Sequence, residues 1–198
     1  MSGPPLAAVL AGGRSRRMGA PKALLELGGE ALIARPLAAA AEAGLEAVVI
    51  AKASSPLPAL DVPVWHEPDA PAHPLTGLVA ALERAGGRAV IALACDMPYV
   101  APSLLARLAS ASAATATAPR VAGRLEPFPA RYEAAALPAL RDALAREAPL
   151  REALAELAPA ELGEADLRAF GDPVELVSGV NTPEELAAVR RRLSTDRG

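Results

Sequence analysis

The chain has 198 residues, a formal net charge of −3 and a hydrophobic share of 52%, enough to bury the core of one domain. Five aromatic residues (Trp65, Tyr99, Phe128, Tyr132 and Phe170) and a slightly acidic balance argue against a basic, base-stacking nucleic-acid binder. The chain lacks a run of roughly 18 apolar residues and a secretory start, so no membrane is expected and a cytoplasmic location is; the single cysteine, Cys95, excludes an internal disulfide and a CxxC metal site.

In chain order, Leu6 to Ala11 is a short apolar run ending in Gly12-Gly13, which predicts a buried strand feeding a loop. Similar runs follow at Ala47 to Ala51, Val62 to His66 and Ala89 to Ala94. Between them, Ala31 to Ala43, Leu75 to Ala85 and Pro102 to Ser110 read as helices, the first bent or delayed by Pro36. Strands alternating with helices imply βαβ units and a mostly parallel sheet, an α/β fold. After about residue 113, Ala114 to Ala118, Val121 to Leu125 and Phe128 to Arg131 are short strand candidates, expected to form a small inserted hairpin on the substrate side. Helical segments are expected from Glu133 to Leu157, broken at Pro138 and Pro149, then a strand at Val174 to Val177. A final helix opens at Thr182-Pro183-Glu184-Glu185, with Thr182 as its N-cap.

Four segments carry chemistry. Leu10 to Lys22 follows a strand; Gly12 and Gly13 let backbone N–H groups approach phosphate oxygens, and Arg14, Arg16, Arg17 and Lys22 add positive charge. Its spacing fits neither a P-loop nor a dinucleotide fingerprint. Asp96, in Ala94 to Pro98, ends a buried strand, where an α/β sheet opens its ligand crevice, and a carboxylate there can hold Mg²⁺. The segments Glu67-Pro68-Asp69 and His73 to Gly77 lead into the second helix, and His66 and His73 read as structural or solvated. Asn181 is the only Asn, and Lys22 and Lys52 are the only lysines beside 18 arginines, so each stands out at a motif position.

Leu10-Ala-Gly-Gly-Arg-Ser-Arg-Arg-Met-Gly-Ala-Pro-Lys22, with Asp96-Met-Pro98, His73-Pro-Leu-Thr-Gly77 and Asn181-Thr-Pro-Glu-Glu-Leu186, resembles the molybdenum cofactor guanylyltransferases. The resemblance implies a Rossmann-like three-layer nucleotidyltransferase fold, with residues 1–198 as a single domain whose N-terminal half binds nucleotide and whose residues 113–180 mainly face the acceptor. It implies transfer of GMP from GTP to the terminal phosphate of molybdenum-molybdopterin, with release of pyrophosphate. It assigns Lys22, Arg17 and Asp96 to catalysis, with Mg²⁺ on Asp96. Leu10, Ala11, Gly12, Gly13, Lys22, Asp69, Asp96 and Asn181 would hold the nucleotide, with base recognition falling to Leu10 to Gly12 and the segments around Ser54 and Asp69. Arg120 and Arg131, near the short strands, are candidates for the acceptor side, and molybdoenzymes or cofactor-delivery proteins are candidate recipients of the product. Two positions depart from the family: Pro21 stands where it usually has Asp, and Ala51 to Ser55 lacks its Asn. A cytidylyltransferase for the same cofactor, or a sugar- or cobinamide-phosphate nucleotidyltransferase, is the alternative. A nucleotide-binding delivery subunit without catalysis is the rival from another class.

Overall fold

The computed structural model describes residues 3–13 and 20–195. In chain order the strands are β1 (Leu6–Leu10), β2 (Glu26–Leu27), β3 (Glu30–Ala31), β4 (Ala47–Ala51), β5 (Val64–His66), β6 (Val90–Ala94), β7 (Ala116–Val121), β8 (Arg124–Leu125), β9 (Ala130–Tyr132) and β10 (Ala160–Leu162). The α-helices are α1 (Ala34–Glu42), α2 (Pro74–Arg84), α3 (Pro102–Ala109), α4 (Leu137–Ala145), α5 (Leu150–Glu156), α6 (Glu164–Leu167), α7 (Pro173–Leu176) and α8 (Pro183–Thr195). No helix of the described residues is long and apolar enough to cross a membrane.

The main sheet runs β10-β7-β9-β6-β1-β4-β5, with β8 paired to β7. β1 lies parallel between β4 and β6, and its residues Leu6 to Val9 are fully buried, as a strand covered on both faces must be. Side-chain alternation splits the core in two. Leu6, Ala8, Val48, Ile50, Val90 and Ala92 pack with Leu75, Leu78 and Leu82 of α2 and Leu140 of α4. Ala7, Val9, Val49, Ile91 and Leu93 pack on the opposite face with Ala39 and Ala40 of α1 and Leu104, Leu105 and Leu108 of α3. Helices on both faces of the sheet make three layers. Each fully buried Leu or Ile contributes roughly 1.5–3 kcal/mol.

The chain runs from β1 to β4 and β5 on one side, then returns through α2 to β6 on the other side of β1. The strand order therefore reverses between β1 and β6. In such a sheet the carboxyl ends at the reversal splay apart and leave a crevice. Gly12 and Asp96 lie two residues beyond the ends of these two strands.

Several boundaries differ from expectation for local reasons. α1 begins at Ala34 because Glu30–Ala31 pairs with Glu26–Leu27 as a separate hairpin. Pro138 does not break a helix; it sits in the first turn of α4, where its missing N–H costs nothing. Val174 to Val177 is not a strand. Asp172 Oδ1 accepts from the N–H of Val174 (2.9 Å) and of Glu175 (3.1 Å), and Pro173 opens the turn, so capping outweighs the apolar alternation and leaves Val174 61% exposed. The strand β10 had no signal, since only Leu162 of its three residues is buried. The expected hairpin is β7–β8, and β7 and β9 also carry the main sheet onward from β6 in antiparallel pairing.

The C-terminal helix starts as expected. Glu185 N–H donates to Thr182 Oγ1 (3.2 Å), and the Glu185 carboxylate accepts from the N–H of Asn181 (2.6 Å) and Thr182 (3.3 Å). A small third cluster, Leu27, Leu32, Val180, Leu186 and Val189, seats this helix against the β2–β3 hairpin. That packing brings Asn181 to a lysine 159 residues earlier in the chain.

Candidate active site

A cavity of 760 Å³ opens at the carboxyl ends of β1, β4, β5 and β6. Its described lining includes Leu10, Ala11, Gly12, Gly13, Lys22, Lys52, Glu67, Asp96, Asn181, Glu126, Phe128 and Arg151. Lysine and arginine alternate there with carboxylates, and Gly12-Gly13 exposes backbone beside them.

The centre is an ion pair. Lys22 follows the first loop and starts a 3₁₀ turn over Lys22–Leu24; its Nζ donates to Asp96 Oδ2 and to Asn181 Oδ1 (2.8 Å). The Asp96 and Lys22 side chains are 12% and 21% exposed, so water only partly screens the pair. The strand end is clamped to the C-terminal segment, since Val180 N–H donates to the Asp96 carbonyl (2.9 Å) and Asn181 Nδ2 donates to the Gly179 carbonyl (3.0 Å). A Cβ on Gly179 would sit 3.0 Å from Asp96 Oδ1, so glycine there keeps one side of the carboxylate open. Asp96 with the Asn181 amide oxygen is a hard-oxygen donor pair, and the Lys22 ammonium already stands against it as a cation. These residues fit a hard divalent cation that takes its remaining ligands from water and phosphate.

The carboxylate of Glu67, just beyond β5, lies against the first glycine of the loop. A Cβ on Gly12 would fall 1.7 Å from Glu67 Oε1, and one on Gly77 would fall 2.7 Å from Oε2. Burial raises the Glu67 pKa to about 6, with Lys52 opposing the shift and Asp69 adding to it. Gly12→Ala is expected to displace this carboxylate. Because a side-chain end yields more easily than backbone, the melting temperature stays near that of the native protein, which a thermal melt of the variant checks.

Of the sequence-derived residues, Leu10, Ala11, Gly12, Gly13, Lys22, Asp96 and Asn181 meet at the cavity. Asp69 does not line it. Its side chain is exposed, and its backbone carbonyl accepts from Lys52 Nζ, so it touches the cavity through that lysine. Arg17 lies outside the described residues. Arg120 and Arg131 do not line the cavity either. Arg120 forms a two-bond pair with Glu161 of β10, and Arg131 donates to Glu133 (2.6 Å) and to the Ala109 carbonyl at the end of α3 (2.6 Å). His73 caps α2, its Nδ1 accepting from Leu75 N–H (3.2 Å). Cys95 is buried and its thiol is pushed up to about 12, so it remains protonated and serves as packing.

Sequence reasoning gave no role to Glu67, Lys52, Glu126, Phe128 or Arg151. For Glu67 a signal was present, since it is the residue directly after a strand on the same sheet edge as Asp96, and Lys52 stood out by its rarity beside 18 arginines; the other three had none, being ordinary residue types in unremarkable runs.

A glycine loop, a lysine and a strand-end aspartate around one crevice make a site suited to the phosphates of a nucleotide. The profile of the MobA-like NTP transferase domain matches residues 7–161. A probable molybdenum cofactor guanylyltransferase of Pelotomaculum thermopropionicum is 33% identical over 184 residues, covering 92% of this chain and 90% of that protein. The molybdenum cofactor guanylyltransferase of Rhodobacter capsulatus is 36% identical over 194 residues, covering 93% and 94%. The chain belongs to the MobA-like NTP transferase family and is a nucleotidyltransferase. Among solved structures, molybdopterin-guanine dinucleotide biosynthesis protein A of Archaeoglobus fulgidus superposes with a TM-score of 0.81 at 24% identity, covering 96% of this chain and 98% of that one. The 2-C-methyl-D-erythritol 4-phosphate cytidylyltransferase of Thermus thermophilus superposes with a TM-score of 0.69 at 19% identity, covering 96% and 99%. Both share the fold.

Proposed function

We propose that this enzyme transfers GMP from GTP to the terminal phosphate of molybdenum-molybdopterin, releasing pyrophosphate and forming the guanine dinucleotide cofactor. The names of the full-length relatives support the reaction. The observation that carries the choice of base is the carboxylate of Glu67 beside Gly12. Guanine presents two adjacent donors, N1–H and the 2-amino group, to which one carboxylate is complementary. Cytosine and adenine each set a ring-nitrogen acceptor beside their amino group, which a carboxylate repels. Asp69 contributes by holding Lys52 through its carbonyl.

The triphosphate lies along the backbone N–H groups of Gly12 and Gly13, with Lys22 leaving Asp96 to pair with the phosphates, and Arg17 joins it on the departing pyrophosphate. Asp96 and Asn181 would hold Mg²⁺, which when bound neutralises phosphate oxygens and makes the α-phosphorus more electrophilic. An oxygen of the acceptor phosphate forms the new bond to that phosphorus as the bond to the pyrophosphate oxygen breaks. An ionised phosphate is already a nucleophile, so the residues need only orient it and balance charge.

A panel of nucleoside triphosphates with Mg²⁺ in a thermal-shift assay tests the reading. GTP raises the melting temperature and CTP, ATP and UTP do not, because only a ligand favouring the folded state stabilises it. Equal or greater stabilisation by CTP moves the enzyme to the cytidylyltransferases. pH supplies a second check. With Glu67 near pKa 6, its carboxylate is mostly ionised at pH 7.5 and about a quarter ionised at pH 5.5, so GTP affinity falls about fourfold more in the native protein than in Glu67→Gln. The raised pKa also means that the folded protein binds more protons than the unfolded chain between about 4.5 and 6, so Glu67 makes the unliganded fold less stable as pH rises through that window.

A further inference from the structure

The cavity continues past Asp96 to a second end, made by Glu126, Pro127 and Phe128 after β8 and by Arg151 of α5. Every part of it is held in place. Arg151 Nη2 donates to Glu126 Oε2 (2.9 Å) while its Nε donates to the Leu125 carbonyl (2.7 Å), so the guanidinium ties the carboxylate to the adjoining backbone. Glu126 N–H donates to the Pro119 carbonyl (2.9 Å), and the fully buried Tyr132 hydroxyl donates to the Pro127 carbonyl (3.1 Å). The Glu126 side chain is 19% exposed, and its Oε1 has no hydrogen-bond partner among the described residues. Phe128 supplies the one phenyl ring of the described lining.

The sheet order sets this end apart from the Glu67 end: β5 and β7 lie on opposite sides of β6, whose end carries Asp96. A donor nucleotide and an acceptor meeting over Asp96 would each have a carboxylate at the far end. We infer that Glu126 and Phe128 bind the ring of the acceptor, a flat heterocycle bearing a 2-amino-4-oxo-pyrimidine edge such as a pterin. Its ring N–H and 2-amino group point the same way, as donors to Glu126, and Phe128 covers its face. Arg151 is a positioning residue that keeps the carboxylate aimed, through its bonds to Glu126 and to the Leu125 carbonyl. This inference rests on the nucleotidyl-transfer reading, and it gives residues 113–180 the acceptor side.

Fluorescence titration of the full-length protein, saturated with GTP so that the Glu67 end is filled, with 6-hydroxymethylpterin and with 6-hydroxymethyl-lumazine, which replaces the 2-amino group by an oxo group, tests it beside a separate GTP titration. The native protein prefers the pterin by about tenfold, as expected when a charged acceptor loses one donor and meets an oxygen instead. Glu126→Gln reduces that preference to within about twofold at unchanged GTP affinity, and Phe128→Leu weakens both ligands about tenfold while leaving the preference intact. Equal binding of the two by the native protein, absence of saturable pterin binding, or a preference that survives Glu126→Gln overturns it. So does loss of GTP rather than pterin binding in Glu126→Gln, which would make this the donor end. A native protein that binds pterin and fails to bind GTP removes the proposed function instead.

Discussion

Asp96→Asn lowers metal-dependent pyrophosphate release about 10²–10³-fold, the usual scale for removing one group that stabilises transition-state charge. The substitution keeps the shape of the side chain and its place between Val180 and Gly179, so folding survives while the negative charge needed for a divalent cation is lost. Lys22 Nζ retains the Asn181 amide oxygen, and the guanine end at Glu67 is untouched, so GTP still binds. Pyrophosphate release assayed against Mg²⁺ concentration, beside a GTP titration, separates the two effects. Turnover close to that of the native enzyme would take the metal away from Asp96.

Lys22→Ala is expected to reduce kcat/KM for GTP about 10²-fold, roughly 2.7 kcal/mol, because the departing pyrophosphate loses its paired ammonium. A second consequence follows from the free enzyme. Lys22 is the cation seated on Asp96, so its removal leaves a largely buried carboxylate without that partner. That costs about 1–3 kcal/mol of stability. Divalent cations then bind Asp96 more tightly in the absence of nucleotide and restore the lost melting temperature. Steady-state kinetics on GTP and calorimetric titration with Mg²⁺ alone read these effects independently. Unchanged kinetics would remove Lys22 from the phosphates, and unchanged metal affinity would show that its ammonium does not compete with the metal.

The loop glycines and Asp96 were legible in the sequence because each follows a buried apolar run, Asn181 because it precedes a capped helix start, and Lys22 because it closes the Leu10 to Lys22 string and is one of two lysines. A buried apolar run followed by Gly-Gly or by Asp announces a strand ending at a crevice, whatever the rest of the chain does. The opposite case is the acceptor end. Glu126, Phe128 and Arg151 are separated by an intervening strand and helix, and the arginines that looked available, Arg120 and Arg131, are consumed by Glu161, Glu133 and the end of α3. Which of 18 arginines meets which carboxylate depends on contacts across the sheet, and composition carries no record of them. Asp69 and Glu67 make the same point within three residues: both are acids beyond β5, and only the closeness of Gly12 and Gly77 singles out Glu67 as the one in the cavity.

Local sequence thus determined the strand and helix alternation, the glycines after the first strand, the strand-end acid and the capped final helix, since each depends on side-chain period and on backbone N–H groups within a few residues. Tertiary structure alone decided that Lys22, Asp96 and Asn181 share one point, that Val174 to Val177 turns into a helix, and that Glu67 and Glu126 line the same cavity as Asp96. Those outcomes come from long-range packing and ion pairing, whose energies depend on distances between residues up to 159 positions apart in the chain.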